Sequence, residues 1–377
     1  MPHSGQVDGA SSPKGSQYSA HTIKFNNVVI INFIMNILMI GEYPPKIGGI
    51  STHIYYLKKE LIKLNQNVFV LTYSKSLEDG VYYNKLPNRF RGFFFILFGL
   101  FKGIYIIRRN KIDIIHSHFA TTPGLLGLIL SLITRKKRIL TVHGSDVNVF
   151  LRRKYIGKIV NFVISNHPLI ISVSPNLANK LENKSNNVIV SISNGVDSLR
   201  FFPEDIERQG IGFIGALVNE KNPKAFIEII TGLRKLGIME PAYVLGQGYL
   251  KKELEEMSSG LDISYLGEIM DTENYLKKFK IFISTSRTEG FGLSILDSMS
   301  CATPVVSLMS PGSYFLLGDL GLVVENENQA ISLIEKILKD QSFTNDISKK
   351  ILEKSKLFSW EKCALETIKI YNKILLK

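Results

Sequence analysis

An α/β fold with two doubly wound parallel sheets is what this sequence predicts, and three observations carry the prediction. From Met35 onward, short apolar β-branched runs alternate with helical stretches. A length of 377 residues suits two domains, since one domain takes about 100–200. Residues 281–306, IFISTSRTEGFGLSILDSMSCATPVV, read as strand, glycine turn, helix and return toward a further strand.

Taken in order, residues 1–34 open with the Gly/Ser/Pro-rich MPHSGQVDGASSPKGS and close on a short apolar run from Val28 to Ile34. A signal peptide needs a small-residue cleavage site after its apolar core, and none is evident. These residues are therefore expected to be a tail or upstream extension, with the functional chain starting at Met35. The first series of strands is NILMIG, NVFVLTY, IDIIHSH, ILTVHGSD, LIISVS and VIVSISNGVD, with a Gly48-Gly49 turn and a helix ending near Leu64 after the first. The second series is IGFIGAL, AYVLGQG, ISYLGE, IFISTS and PVVSLM. The junction falls near residues 201–209, which divides the chain into domains at 35–205 and 206–358. Parallel α/β sheets bind ligands at the carboxyl ends of their strands, so the expected site is a cleft that the two domains face.

Composition narrows the class. Hydrophobic residues make up 45% and charged residues 21%, as in a globular protein with real cores. Cys301 and Cys363 both fall in apolar helical patterns and read as buried thiols of a reducing cytosol, not as a disulfide or metal site. The net charge of +13 is uneven: residues 1–200 hold 25 Lys/Arg against 9 Asp/Glu, and residues 201–377 hold 21 against 24. An anionic partner for the first half follows. No zinc-finger, RNP or helix-turn-helix signature accompanies the basic clusters, so a membrane surface ranks above nucleic acid. Residues 89–109, which begin at Arg89 and close on Arg108-Arg109, read RFRGFFFILFGLFKGIYIIRR. This helix is apolar on every side and flanked by arginines, so it either lies in an anionic membrane interface or packs on the sheet before IDIIHSH. Lys102 near its middle argues against a membrane span.

The chemistry concentrates in residues 281–306. A glycine turn entering a helix offers unpaired N–H groups and the positive end of the dipole, which suit a phosphate. Glu289 before the turn and Asp297 one helical turn in cannot neutralise a phosphate; their natural partners are hydroxyls, which donate to an ionised carboxylate. Amides for phosphate and carboxylates for hydroxyls suit a nucleotide sugar. No Asp-x-Asp occurs, and no His/Cys/carboxylate cluster has metal-ligand spacing, so the expected chemistry needs no divalent ion and no resident cofactor.

The ordered motifs EYPPKIGGISTH, TVHGSD, SNGVD, GALVNEKN, VLGQGYLKKELE, YLGE, SRTEGFGLSILDSMSCATPVV and FSWEKCALETIKIY together resemble the retaining glycosyltransferases of family four, with the GT-B fold. The resemblance runs from Met35 to the C-terminus. It implies that Gly48-Gly49 sit beside the donor diphosphate, that His143 meets the donor sugar, and that Lys221 offsets leaving-group charge. It also places Gly246 and Phe291-Gly292-Leu293 at the donor, Glu289 at the transferred sugar and Asp297 at the ribose hydroxyls. Residues 359–377 are then expected to pack back on the first domain, which holds the acceptor. Asp146 either caps the next helix or meets the acceptor. Two positions depart from the pattern: Ala216 stands where an arginine is common, with Arg287 a possible substitute, and Asp297 stands where glutamate is common. The implied activity is retaining transfer from a nucleotide diphosphate sugar to a glycan or lipid-linked acceptor, in cell-surface polysaccharide or glycolipid synthesis. The setting implied is the cytoplasm, peripheral to the inner membrane face. A GT-B nucleotide-sugar epimerase and a non-catalytic nucleotide-sugar-binding protein share the donor pocket and stay open as alternatives.

Overall fold

The computed structural model describes residues 20–25, 28–84, 91–182 and 187–376. The reading of residues 1–19 and 26–27, and of residues 89–90 in the segment 89–109, lies outside the described residues. Within the run expected to be a tail, β1 (Ala20–Phe25) and β2 (Val28–Phe33) pair antiparallel, with Ala20 opposite Phe33. The chain separates into two compact units, one of Met1–Thr141, Val163–Ile170 and Ala364–Lys377, the other of Val142–Phe162 and Ile171–Cys363.

The first sheet contains β3 (Asn36–Ile40), β4 (Asn67–Thr72), β5 (Val81–Tyr83), β6 (Ile114–His118), β7 (Lys137–Val142), β8 (Leu169–Ser172) and β9 (Val188–Ser191). Its spatial order is β5-β4-β3-β6-β7-β8-β9. The pairs β3–β4, β3–β6, β4–β5 and β6–β7 are parallel, and Ile37 stands opposite both Val68 and Ile114. Ile37 to Ile40 are all fully buried, as expected for a strand covered on both faces. The intervening helices are α1 (Gly49–Lys63), α2 (Arg91–Arg109), α3 (Thr122–Thr134), α4 (Ser145–Asn148), α5 (Ile156–Ser165) and α6 (Pro175–Glu182).

The apolar helix α2 takes the packed alternative on one side. Phe95, Ile106 and Ile107 join a core with Leu38, Ile40, Leu71, Ile115, Leu126 and Leu130. Its glycines face α3: a Cβ on Gly99 would stand 2.7 Å from Leu126, and one on Gly103 would stand 2.6 Å from Leu130. Matching increments of four residues mean that the two helices run side by side in the same direction. Lys102 leaves the apolar face to donate to the Tyr83 carbonyl.

The second sheet contains β10 (Ile211–Ile214), β11 (Ala242–Leu245), β12 (Ile263–Gly267), β13 (Ile281–Ser284), β14 (Val305–Leu308) and β15 (Val323–Val324), in the order β12-β11-β10-β13-β14-β15. Every pair is parallel. Strand order reverses between β10 and β13, which makes the loops leaving those two strands the switch point of this sheet. The helices that follow in the chain are α7 (Pro223–Lys235), α8 (Lys251–Met257), α9 (Thr272–Leu276), α10 (Leu293–Ser300), α11 (Pro311–Leu317), α12 (Glu327–Lys339), α13 (Gln341–Ser355) and α14 (Trp360–Leu375). All eleven strands read from the sequence are present. The short edge strands β5 and β15 and the β1–β2 pair are additional, being too short or too weakly patterned to announce themselves. No described helix is long and apolar enough to cross a membrane.

Candidate active site

The loop leaving β10 carries Gly215, Ala216 and a single 3-10 turn, Asn219–Lys221. The loop leaving β13 carries Thr285 to Gly292 and ends at α10. Side-chain hydroxyls stitch the two loops together: Thr285 Oγ1 donates to the Lys221 carbonyl at 2.9 Å, Ser286 Oγ to the Glu220 carbonyl at 3.1 Å, and Thr288 Oγ1 to the same carbonyl at 3.4 Å. The Ser-Thr-rich run that follows the strand is therefore the clasp of the switch point. It holds Lys221 Nζ in an ion pair with Glu289.

Both partners of that pair keep contact with solvent, 35% of the lysine side chain and 19% of the glutamate side chain. A pair so placed contributes no more than about 1 kcal/mol.

The helix that follows begins at Gly292, which is left-handed with φ 98° and supplies no side-chain cap. The first-turn N–H groups of α10 therefore lack a capping oxygen, as an anion site at a helix N-terminus requires. Phe291 turns away from this end. It is 2% exposed and packs with Phe315 and Phe358 at ring separations of 6.1 and 5.9 Å, so its aromatic side chain belongs to the core and only its backbone faces the turn. Leu293 is the first residue of the helix and is half-buried. Gly246, placed at the donor by resemblance, is explained by packing: a Cβ there would lie 1.9 Å from the Gly215 carbonyl oxygen.

His143 follows β7 and arrives beside the Glu289 loop through two glycines. A Cβ on Gly144 would stand 2.5 Å from Gly290 Cα, and a Cβ on Gly290 would stand 2.3 Å from the His143 carbonyl oxygen. Backbone meets backbone here, and no other residue type fits either position. The carboxylate of Asp146 accepts from three N–H groups: Gly144 at 2.9 Å, His143 at 3.1 Å and Val147 at 3.1 Å. Bonds to a charged acceptor contribute about 1.5–3 kcal/mol each, and Asp146 is fully buried. Asp146 does not cap the helix as expected: the N-cap of α4 is Gly144, with no side-chain cap, and Asp146 is the second residue of that helix, its carboxylate turned back to orient the His143 turn.

One further expectation changes. Arg287 does not stand in for the missing arginine at Ala216: its side chain is 65% exposed and pairs with Glu327 at 3.2 Å. The cation brought to the residue beside Lys221 is Arg153, 3.7 Å from Glu220. Sequence reasoning missed Arg153, because 67 positions separate the two and no local pattern marks it. Asn148 was likewise unmarked; it donates to the Thr288 carbonyl at 3.4 Å and accepts from Lys180, which ties the residue before Glu289 to α4 and α6.

Asp297 differs from Glu289 in its surroundings. Protein packed round its carboxyl pushes its pKa up to about 8, the Arg200 guanidinium opposes that rise, and Glu273 and Asp197 add to it. The Arg200 guanidinium also bonds Glu273 at 3.1 and 2.7 Å and the Met270 carbonyl at 3.0 Å. At neutral pH Asp297 is therefore mostly protonated, a donor as well as an acceptor.

In the first unit, Gly48 is the N-cap of α1, and no atom comes within 4 Å of where its Cβ would stand. Packing does not demand this glycine. His116 accounts for both ring nitrogens, meeting Tyr371 Oη and Thr141 Oγ1 at 2.7 Å each, and burial lowers its pKa to about 3. It is a neutral structural histidine.

Comparison with known proteins identifies the family. The model of Glycosyltransferase Family 4 matches residues 47–200, and that of Glycosyl transferases group 1 matches residues 208–340. An uncharacterized glycosyltransferase of Methanocaldococcus jannaschii is 30% identical over 360 residues, covering 90% of this chain and 99% of its own. The GPI3 component of the phosphatidylinositol N-acetylglucosaminyltransferase of Saccharomyces cerevisiae is 26% identical over 385 residues, covering 90% and 83%. Among solved structures, Anabaena HepE in complex with UDP and glucose superposes with a TM-score of 0.76 at 16% identity, covering 90% of this chain and 99% of that one, a likeness of fold.

Proposed function

We propose, from the premise that this chain belongs to the group 1 glycosyltransferases of the GT-B fold, that it moves a sugar from a nucleotide diphosphate donor to a glycan or lipid-linked acceptor with retention of anomeric configuration. The single observation that carries the donor assignment is the Lys221–Glu289 pair at the β10/β13 switch point, beside the uncapped start of α10. In this reading Lys221 releases Glu289 and takes the diphosphate, whose charge the α10 N–H groups share. Glu289 then accepts from a hydroxyl of the transferred sugar, and His143 meets the same sugar from the turn that Asp146 holds.

The acceptor oxygen forms its bond to the anomeric carbon on the face the leaving diphosphate departs from. The anomeric C–O bond breaks as it does so, and a leaving phosphate oxygen takes the acceptor proton. No separate general base is then required, and leaving-group charge is met by Lys221, amides and the helix dipole, without a divalent ion. HepE, with its bound UDP, supports a uridine nucleotide as the first donor to try. The relative named for transfer to phosphatidylinositol supports a lipid acceptor, and with it a peripheral place on the inner membrane face.

Incubation with a panel of nucleotide sugars and a membrane lipid extract, followed by mass spectrometry, tests the assignment. A glycosylated lipid with release of nucleoside diphosphate is the expected product. Folded protein that yields none with any donor would sink it, and an inverted anomeric centre in the product would sink retention alone.

A further inference from the structure

Helix α2 presents two unlike faces. Gly92, Gly99, Gly103, Phe95, Ile106 and Ile107 face the interior or α3. On the opposite side Phe93, Leu97, Phe101 and Tyr105 recur every four residues, with Phe98 beside them, and all are exposed: Phe93 by 65%, Phe101 by 68% and Tyr105 by 50%. Soluble surfaces expose apolar residues singly, and five contiguous ones on one helix call for a covering partner. Because α2 and α3 run in the same direction, the end of α3 lies alongside the last turn of α2. There Leu132 and Ile133 are exposed by 64% and 55%, adding to the same apolar surface.

The charges beside this surface have one sign. Arg108 and Arg109 end α2, and Arg135 and Lys137 follow α3, all exposed. Between residues 81 and 140 there are eleven Lys/Arg and a single acid, Asp113, whose carboxylate accepts from the Asn36 N–H. A second copy of this chain would oppose one basic surface with another, which like-charge repulsion disfavours. An anionic lipid bilayer satisfies both features. Aromatic rings settle at headgroup depth, and arginines at the rim meet phosphates.

We propose that the outer face of α2, with the end of α3, is a docking surface for anionic phospholipid bilayers, in which Phe93, Phe101 and Tyr105 insert and Arg108, Arg109 and Arg135 bind headgroups. The helix lies in the interface without spanning it. The surface contains none of the residues of the switch point in the second sheet, so it serves to recruit and not to catalyse.

Co-sedimentation of the full chain with vesicles tests this without donor or acceptor, so its outcome is independent of the transferase reading. Binding is expected to vesicles containing phosphatidylglycerol at low salt, with weakening in high salt and little binding to phosphatidylcholine alone. The double variant Phe93→Glu/Phe101→Glu should lower vesicle binding roughly tenfold or more, since each ring loses its buried area in lipid. Phe101→Leu should largely keep it. Circular dichroism is expected to show an unchanged fold, both positions being exposed; should the double variant misfold, the vesicle and salt results on the unaltered chain decide. Failure to sediment with anionic vesicles at low salt overturns the proposal. So does a Glu variant that binds as before, or concentration-dependent self-association that the Glu variant abolishes.

Discussion

Lys221 and Glu289 close an ion pair across the β10 and β13 loops, 68 residues apart in the chain, at the point where the second sheet reverses its strand order. The lysine that would meet a diphosphate is thus held by the carboxylate that would meet the sugar. A donor carrying both groups satisfies each partner at once, whereas a nucleoside diphosphate without sugar leaves Glu289 unpaired.

Glu289→Gln removes that competitor. Transfer is expected to fall by roughly a hundredfold or more as a transition-state contact is lost, while UDP binding holds or tightens. Lys221→Ala should instead weaken UDP itself. Isothermal titration with UDP beside a transfer assay separates the two, and equal loss of UDP affinity in both variants would count against the exchange.

The raised pKa of Asp297 has a signed consequence. Its ordinary pKa is 3.8 and its folded value is about 8, so the native state holds a proton that the unfolded chain releases. Its contribution is fully present below about pH 4, declines as pH rises toward 8 and is level above that. Asp297→Asn should flatten this slope, so thermal melts of variant and parent should diverge in favour of the variant between those limits. Parallel melting curves across that window would refute the assignment.

The backbone crossing of Gly144 and Gly290 predicts a steric defect. Gly290→Ala places a Cβ 2.3 Å from the His143 carbonyl oxygen, where only main chain can give way. Destabilisation of about 1–3 kcal/mol and loss of transfer are expected together, measured by denaturant melts and turnover. Asp146→Asn tests the His143 turn more gently: turnover should drop with the donor KM little changed, because the residue orients a neighbour and does not touch the donor.

Transfer should survive EDTA, since leaving-group charge is assigned to Lys221, amides and the α10 dipole. Loss of activity on chelation, restored by magnesium or manganese, would overturn that assignment.

Arg153 should contribute to donor affinity if it supplies the cation absent at Ala216. Arg153→Ala is expected to weaken UDP several-fold without altering the melt, since its pair with Glu220 is half-exposed and contributes little to stability. Unchanged UDP affinity would remove Arg153 from the donor site.

What the sequence determined by itself was whatever local pattern encodes: the eleven strands, the parallel α/β class, the glycine turn before α10 and the motif positions of Lys221, His143 and Glu289. Strand runs and phosphate turns are short-range, because burial on both faces and left-handed glycines each leave a mark within a few residues. Tertiary structure decided the rest. It turned the Asp146 carboxylate onto the His143 turn, Phe291 into the core and Arg287 to Glu327, and it raised the pKa of Asp297 through the protein packed round it. It also sorted α2, apolar on all sides in sequence, into a packed face and an exposed one. Each of those outcomes depends on a partner many residues distant, on the dielectric that surrounding elements create, or on which flank of a helix a neighbour covers. Periodicity and spacing carry no record of these.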